Sequence, residues 1–511
     1  MKRLRLILGD QLNKNHSWFD EVDKDVIYFM AETKQETGYT KHHIQKIVGF
    51  FKAMRQFKNE LEDKGHQFIY YQISSKENKH NLQENIKSLI KQNKIDKFEY
   101  QHPDEYRVDM YLKELCNDIS IEKEAFDTEH FYTKREDLTE FYKSKKEKVM
   151  EYFYRDMRKK HDILMDANQP EGGQWNFDKS NRKKWTKKKE AVPSYLNFEH
   201  DVSDILKEID DQKINYFGNI EAEKFPWPTS RRESLRVLRF FCDELLVHFG
   251  DYEDAMHTEE KMLFHSRLSF ALNTKMISPK ETIERVVKHY HEHKNDIDIS
   301  QVEGFVRQVL GWREYMRGMY WNQMPGYKSK NKLQNTNKLL DLYWTGKTKM
   351  NCLKQAVNQS LDHAYAHHIQ RLMILGNFAL LNMVDPDEVD AWYLGIYIDA
   401  IEWVEITNTR GMSQFADGGI IATKPYISSG NYINKMSNYC QSCQYKVSKK
   451  EGEDACPFNH LYWNFLSEKE EHFKSNQRMN MMMNLLHKMD DEKLKNHKKQ
   501  AKKIIKNPNA Y

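Results

Sequence analysis

Hydrophobic period changes once along this chain, and that change restricts its fold more than any single motif. Up to about residue 130, short apolar runs alternate with amphipathic helical stretches. Leu4–Leu8, Val26–Met30, Phe68–Ile73 and Phe98–Gln101 read as strands, and His42–Glu62 and Asn81–Gln92 as helices. Strands of this length separated by helices predict βαβ units and a parallel sheet. From Arg231 to about Trp463 the period is helical almost throughout, as in Leu235–His248, Lys280–His293 and Val302–Tyr320. A chain divided in this way is an α/β, Rossmann-like N-terminal domain joined to an all-helical one. Gly9-Asp10-Gln11-Leu12 follows the first strand where a dinucleotide fingerprint would stand. The sheet therefore lacks that pyrophosphate cradle, although its strand ends can still hold a ligand.

A length of 511 residues suits roughly three domains. The pattern divides it at 1–132, 133–230, 231–466 and a tail at 467–511. Lys and Arg number 80 against 76 Asp and Glu, a net charge of +4. That balance excludes a uniformly basic nucleic-acid coat but leaves room for a local basic groove. An aromatic content of 13% excludes wholesale disorder, and no apolar run reaches the ~18 residues of a membrane helix. The opening MKRLRLILGDQL loses its apolar character at Gly9-Asp10, too soon for a secretory signal. A cytoplasmic monomer without a membrane partner is expected.

Between Thr133 and Ser230 the pattern loosens. Pro170-Glu171-Gly172-Gly173 breaks it, and Lys179–Lys189 holds seven basic residues and no acid. A lone basic run is a solvated linker by default. Trp175, Phe177 and Trp185 interleave with these charges, which makes a nucleic-acid-facing loop an equal alternative. After Leu485 the tail carries eight Lys against three acids and reads as a surface helix or frayed end. Met481-Met482-Met483 suits packing rather than a cofactor.

Six cysteines in a reducing compartment do not suggest a disulfide framework. Cys440, Cys443 and Cys456 cluster, Cys352 stands far upstream, and Cys116 and Cys242 look like packed thiols. Three clustered thiols with a distant fourth can bind zinc or an iron–sulfur cluster. Spacing leaves both open, along with no metal, and Cys456-Pro457 leans towards [4Fe–4S]. His363, His367 and Arg371 fall at i, i+4 and i+8 of a helix expected over Lys354–Met383, with His368 at the flank. A lone histidine there would be core, but a His-His pair with an arginine suits proton transfer near pH 7. Trp344, Trp392-Tyr393 and Trp403 are either core packing or stepping stones for an electron.

Several stretches carry a resemblance. They include ILGDQL at the start, GGQWNFD at 172–178, EGFVRQVLGWREYMRGMYW at 303–321, AYAHHIQRLMILGNFALL at 364–381, WVEITNTRGMSQFADGG at 403–419 and KPYISSGNYINKMSNYCQSC at 424–443. Together they resemble the bacterial iron–sulfur photolyases and cryptochromes, which include prokaryotic (6-4) photolyases. The likeness is collinear from residue 1 to about Phe465.

What the resemblance implies is specific. The fold would be an α/β antenna domain, a long connector and a helical domain holding FAD. Cys352, Cys440, Cys443 and Cys456 would ligate a [4Fe–4S] cluster. Ser266, Arg267, Leu268 and Ser269 would meet the flavin phosphates, and Gln308, Trp312, Arg371, Asp399, Glu405 and Asn408 would line the flavin and lesion pocket. Trp392, Tyr393 and Trp344 would relay electrons, with Trp392 nearest the flavin. His367 and His368 would supply the proton that a (6-4) lesion in UV-damaged DNA needs, His367 foremost. Lys183, Lys184, Tyr426 and Tyr432 would meet the DNA. Asp10, Gln11, Glu32 and Glu36 would hold a 6,7-dimethyl-8-ribityllumazine antenna. The activity implied is light-driven (6-4) repair. A blue-light photoreceptor with the same cofactors is its nearest rival, and an iron–sulfur nucleic-acid-binding module without photochemistry is a rival of another class.

Overall fold

The computed structural model describes residues 1–145 and 148–511. Five strands, β1 (Arg3–Leu6), β2 (Val26–Ala31), β3 (Gln67–Tyr71), β4 (Lys97–Gln101) and β5 (Glu122–Phe126), form a sheet in the order β3-β2-β1-β4-β5. Every pairing is parallel, with Arg3 opposite Val26 on one side and Lys97 on the other. This is the parallel sheet anticipated from the alternation of periods, and its strand order is doubly wound. Strand β5 and the helix before it, Tyr106–Asp118, were not legible in that alternation. The sequence of β5 is EKEAF, an edge strand too charged to give an apolar signal.

The two faces of the sheet have different fates. Leu4, Leu6, Phe29 and Phe98 pack against Ile86, Leu89, Leu112 and Leu115 in a core of their own. On the opposite face Tyr28 and Met30 meet Ile47, Val48 and Phe51 of the helix Ile44–Glu62, and that core runs without interruption into the helical half. Gly49 permits the contact: a Cβ there would sit 3.0 Å from Ile398 and 3.3 Å from Phe225. Lys275, fully buried, bridges Asp10 at 3.2 Å and Asp104 at 2.7 Å across the same boundary. Paired burial of this kind fixes the relative placement of two units more than it adds stability.

In the helical half, four segments are wound as π-helix: Phe241–Leu245, Arg307–Arg313, Gln370–Gly376 and Thr407–Ser413. Two stretches read as single helices, Leu235–His248 and Val302–Tyr320, contain such a segment. The helix expected over Lys354–Met383 does not exist as one piece. It runs from Asn351 to His363 and stops at Ala364, whose φ is 50°. Tertiary partners take up the freed backbone groups: Ile398 N–H donates to Ala364 C=O at 2.9 Å, Arg371 Nε to Ala366 C=O at 2.7 Å, and His367 N–H to Gln370 Oε1 at 3.1 Å. His363, His367 and Arg371 therefore share no helix face.

The tail is ordered, contrary to a frayed end. Its helix Asp491–Lys506 packs on Pro457–Glu468 and buries His497, Ala501 and Ile504. The terminal Tyr511 carbonyl accepts from Lys349 N–H at 2.7 Å. Among the described residues no helix is long and apolar enough to cross a membrane.

Candidate functional site

A cavity of about 1770 Å³ opens in the helical half. Three of the four π-wound segments line it, through Arg307, Gln308 and Trp312, through Arg371, and through Asn408 and Thr409. A π turn widens a helix and re-aims the side chains after it, and such turns concentrate at functional sites. Sequence periodicity does not register them.

Every residue assigned to the flavin lines this one cavity: Ser266 to Ser269, Gln308, Trp312, Arg371, Asp399, Glu405 and Asn408. Arg371 donates to both oxygens of Asp399 at 2.9 and 3.0 Å, and Glu405 lies 3.8 Å away. Burial opposes the charge on Arg371, yet Asp399, Tyr397 and Glu405 hold it above its ordinary range. Ser269 Oγ donates to Asp399 at 2.6 Å, tying the serine loop to the same carboxylate. Arg267 takes a φ of 56°, rare for a side chain of its size. Its Nε is buried without a partner, as is Nε2 of His265. Buried polar atoms left unsatisfied at a cavity wall fit a polar ligand that would satisfy them.

The histidines divide differently from the expectation. His368 faces the cavity, whereas His367 lies behind the wall, stacked on His265 with centroids 4.4 Å apart. His265 does face the cavity; it directly precedes the serine loop in FHSRLSFAL, the only signal that could have drawn attention to it. Burial brings His368 down to about 4, with Arg371 adding to the effect. Burial, then His368, brings His265 to about 4 as well.

An aromatic series leads away from the cavity. Tyr393, not Trp392, borders it. Behind it the Trp392 ring lies 5.2 Å from Tyr393 and 5.1 Å from Tyr343, both edge-on. Trp344, the next residue, is 40% exposed. Tyr393 thus stands at the cavity and Trp392 behind it, the reverse of the order expected, while Trp344 lies at the surface with its ring against Phe217. Trp403 is buried core beneath Arg313.

At the mouth stand Tyr426, Tyr432 and Arg182. Lys183 and Lys184 lie outside the lining, Lys183 paired with Asp251 at 2.8 Å and Lys184 donating to Asn434 C=O at 3.1 Å. Trp185 is a buried anchor against His257 rather than a platform for bases. Composition did not single out the acids inside. Burial pushes Glu253 up to about 8 and Asp254 up to about 6. Burial also opposes the charge on Asp178, but Arg307 and Arg182 hold it below the usual range.

Cys352, Cys440, Cys443 and Cys456 line a second, small apolar pocket. Burial raises Cys456 to about 12 and Cys440 to about 11, with neighbouring thiols adding to each. Such a set ionises readily only around a cation. A Cβ on Gly430 would stand 2.8 Å from Cys456 Sγ, so the pocket requires glycine there. Among the described residues no three His, Cys, Asp or Glu side chains are close enough to share a single ion.

The residues assigned to the antenna are already engaged. Glu32 accepts from Arg55 at 2.7 and 2.9 Å, from Tyr70 at 2.6 Å and from Ile73 N–H at 2.8 Å. Gln11 is sealed against the Gln101 and His102 carbonyls, Asp10 pairs with Lys275, and Glu36 chelates Arg107.

The sequence pattern of the family described as deoxyribodipyrimidine photo-lyase-related protein matches residues 5–225. A (6-4) photolyase of Agrobacterium fabrum is 41% identical over 486 residues, 94% of either chain. Among solved structures, a bacterial class III photolyase from Agrobacterium tumefaciens superposes with a TM-score of 0.59 at 15% identity, over 99% of this chain and 98% of its own. The cryptochrome of Synechocystis superposes with a TM-score of 0.54 at 12% identity, over 85% and 88%. These two likenesses concern the fold, which is the α/β-plus-helical architecture anticipated above. With 41% identity sustained over nearly its whole length, the chain belongs to the photolyase/cryptochrome family, among the bacterial (6-4) photolyase-like proteins.

Proposed function

We propose that this protein repairs (6-4) pyrimidine–pyrimidone photoproducts in UV-damaged DNA, driven by light. The observation that carries the proposal is the meeting of the Arg371–Asp399 pair, His368 and the Tyr393 end of the aromatic series on one cavity. FAD held in that cavity would supply the photochemical electron. The remaining tasks fall to the chain. Ser266 and Ser269 offer hydroxyls to phosphate oxygens, and the unpartnered Arg267 Nε and His265 Nε2 add polar contacts beside them. Trp344, Trp392 and Tyr393 offer a route from the surface to the cavity, too long for one hop. Tyr426 and Tyr432 offer faces for a flipped base.

Of the paired histidines, His368 is the one on the wall, where its imidazole can hold a proton against the lesion. Its imidazole is neutral at pH 7, and a negative charge brought beside it raises its pKa. A phosphate-bearing substrate would thus help to load its own acid. Because a cyclobutane dimer splits without an acid, an imidazole facing this cavity favours the (6-4) substrate.

The four thiols are assigned to a [4Fe–4S] cluster. A single zinc would draw its sulfurs to about 2.3 Å from one point, whereas a cluster gives each thiolate its own iron. Four thiols lining one pocket suit such a set of ligands. Bound there, the cluster would tie the start of the helix Asn351–His363 to the hairpin 440–456. Of the residues named for a lumazine antenna, Asp10, Gln11, Glu32 and Glu36 all carry bonds within the protein, which a bound antenna would have to share.

Purified, reduced protein illuminated with blue light should restore an oligonucleotide carrying a single (6-4) lesion. Intact lesions in the presence of normal flavin photoreduction would overturn repair and favour a photoreceptor.

A further inference from the structure

Residues 472–478 belong to the tail, which neither periodicity nor resemblance connects to the site. Even so, His472, Ser475, Asn476, Gln477 and Arg478 all line the cavity. The turn that presents them is pinned at both ends. Phe473 is fully buried with ring centroids 6.3 Å from Phe415 and 6.1 Å from Phe465, and Met479 is buried on the far side. Between these anchors, Asn476 Nδ2 donates to Thr423 C=O at 3.1 Å, and Asn476 Oδ1 accepts from Arg478 N–H at 3.1 Å. The tail is thereby stitched to the stretch that leads into Lys424 and Tyr426.

Charge at this mouth is unbalanced. Arg182 is neutralised by Asp178, and Glu151 is taken by Arg155. Lys424, Lys435 and Arg478 are exposed, line the same cavity, and carry no ion pair among the described residues. Tyr426, Arg182 and Arg478 line the same cavity, and although burial and Asp178 raise the pKa of the Tyr426 hydroxyl, both arginines oppose that rise. Unpaired cations around the mouth, one of them on a pre-ordered turn, beside the half-buried Tyr426 and Tyr432 suit a polyanion with planar bases.

We propose that the tail turn 472–478 is part of the DNA-binding groove, where Arg478, with Lys424 and Lys435, holds backbone phosphates flanking the flipped nucleotide. This deepens the repair proposal and rests on it for the choice of DNA. The contacts are to phosphate, so they position the duplex without reading its sequence.

The test uses the full-length holoprotein and two duplex oligonucleotides, one with a single (6-4) lesion and one undamaged. Affinity is measured across a salt series, and the flavin absorption spectrum serves as the check on folding. Arg478→Ala should weaken binding to both duplexes about equally and lower the log–log salt slope by about 0.9. The triple variant with Lys424→Ala and Lys435→Ala should lower it by about 2.7. Lys502→Ala, on the exposed side of the C-terminal helix, should leave the slope unchanged. Unaltered slopes in the Arg478 and triple variants would overturn the tail contact while leaving repair standing. An equal loss in Lys502→Ala would also overturn it, because bulk charge would then suffice. If the wild-type protein fails to repair the lesion yet shows the expected slopes, the repair proposal falls and the phosphate contact stands. No binding to either duplex would remove both.

Discussion

His367 and His368 are adjacent in the chain, but only His368 lines the cavity. The chain leaves helical geometry at Ala364, which turns His367 inward onto His265 and leaves His368 on the cavity wall. His368→Ala should therefore lower the repair yield by roughly 100-fold or more while flavin photoreduction persists, the scale of a lost general acid. His367→Ala should act through the packing of His265 and reduce flavin retention before repair. Yields measured on a (6-4) oligonucleotide, beside flavin-to-protein ratios, separate the two. Equal loss of repair in both with flavin retained would refute the division. The residue types were legible in the sequence, and the residues expected to meet the flavin line one cavity. Which histidine faces inward was not legible, because that depends on where a helix stops, and Ala364 is no helix breaker in itself.

Elements decide how these residues meet. The π segments Gln370–Gly376 and Thr407–Ser413 carry Arg371 and Asn408 to the cavity, and they touch at Gly376, where a Cβ would overlap Ser413 Oγ. Gly376→Ala should cost about 1–3 kcal/mol, the usual penalty of an overpacked core contact. It should also weaken FAD retention, because the two segments must part. Adding Ser413→Gly should recover much of both, as read by thermal unfolding and flavin content; no recovery would place the cost elsewhere. The helical half was recognisable from its period of 3.6, yet the winding within it was invisible. One extra residue per turn leaves the apolar pattern nearly intact over a short window while rotating everything beyond it.

For the whole molecule, burial of neutral histidines makes the fold sensitive to acid. Unfolded imidazoles titrate near 6.5, whereas burial holds His43, His265 and His368 at about 4. Between those values the unfolded chain binds protons that the folded one refuses. Stability is then complete above pH 6.5 and is lost as pH falls towards 4. His43, which is fully buried, can cost up to ~1.4 kcal/mol per pH unit across that interval, and His265 and His368, which face the cavity, contribute less because solvent screens them. Melting temperatures of the holoprotein at pH 7.5, 6 and 5 should fall in that order, and a flat series would mean that the three sites relax and admit water. His43 belongs to the α/β unit and the other two to the helical half, so the shared core couples their unfolding.

By itself the sequence determined the two periods, hence the parallel sheet and the helical half, and it supplied thiols, serines, arginine, histidines and tryptophans of the right kinds. These are local properties: side-chain alternation and residue chemistry are written along the chain. Tertiary structure decided that Tyr393 rather than Trp392 borders the cavity, that Glu32 and Gln11 are spent on internal bonds, and that a tail turn reaches the mouth. Each of those outcomes depends on contacts between residues far apart in sequence, where burial and the satisfaction of backbone groups outweigh local preference.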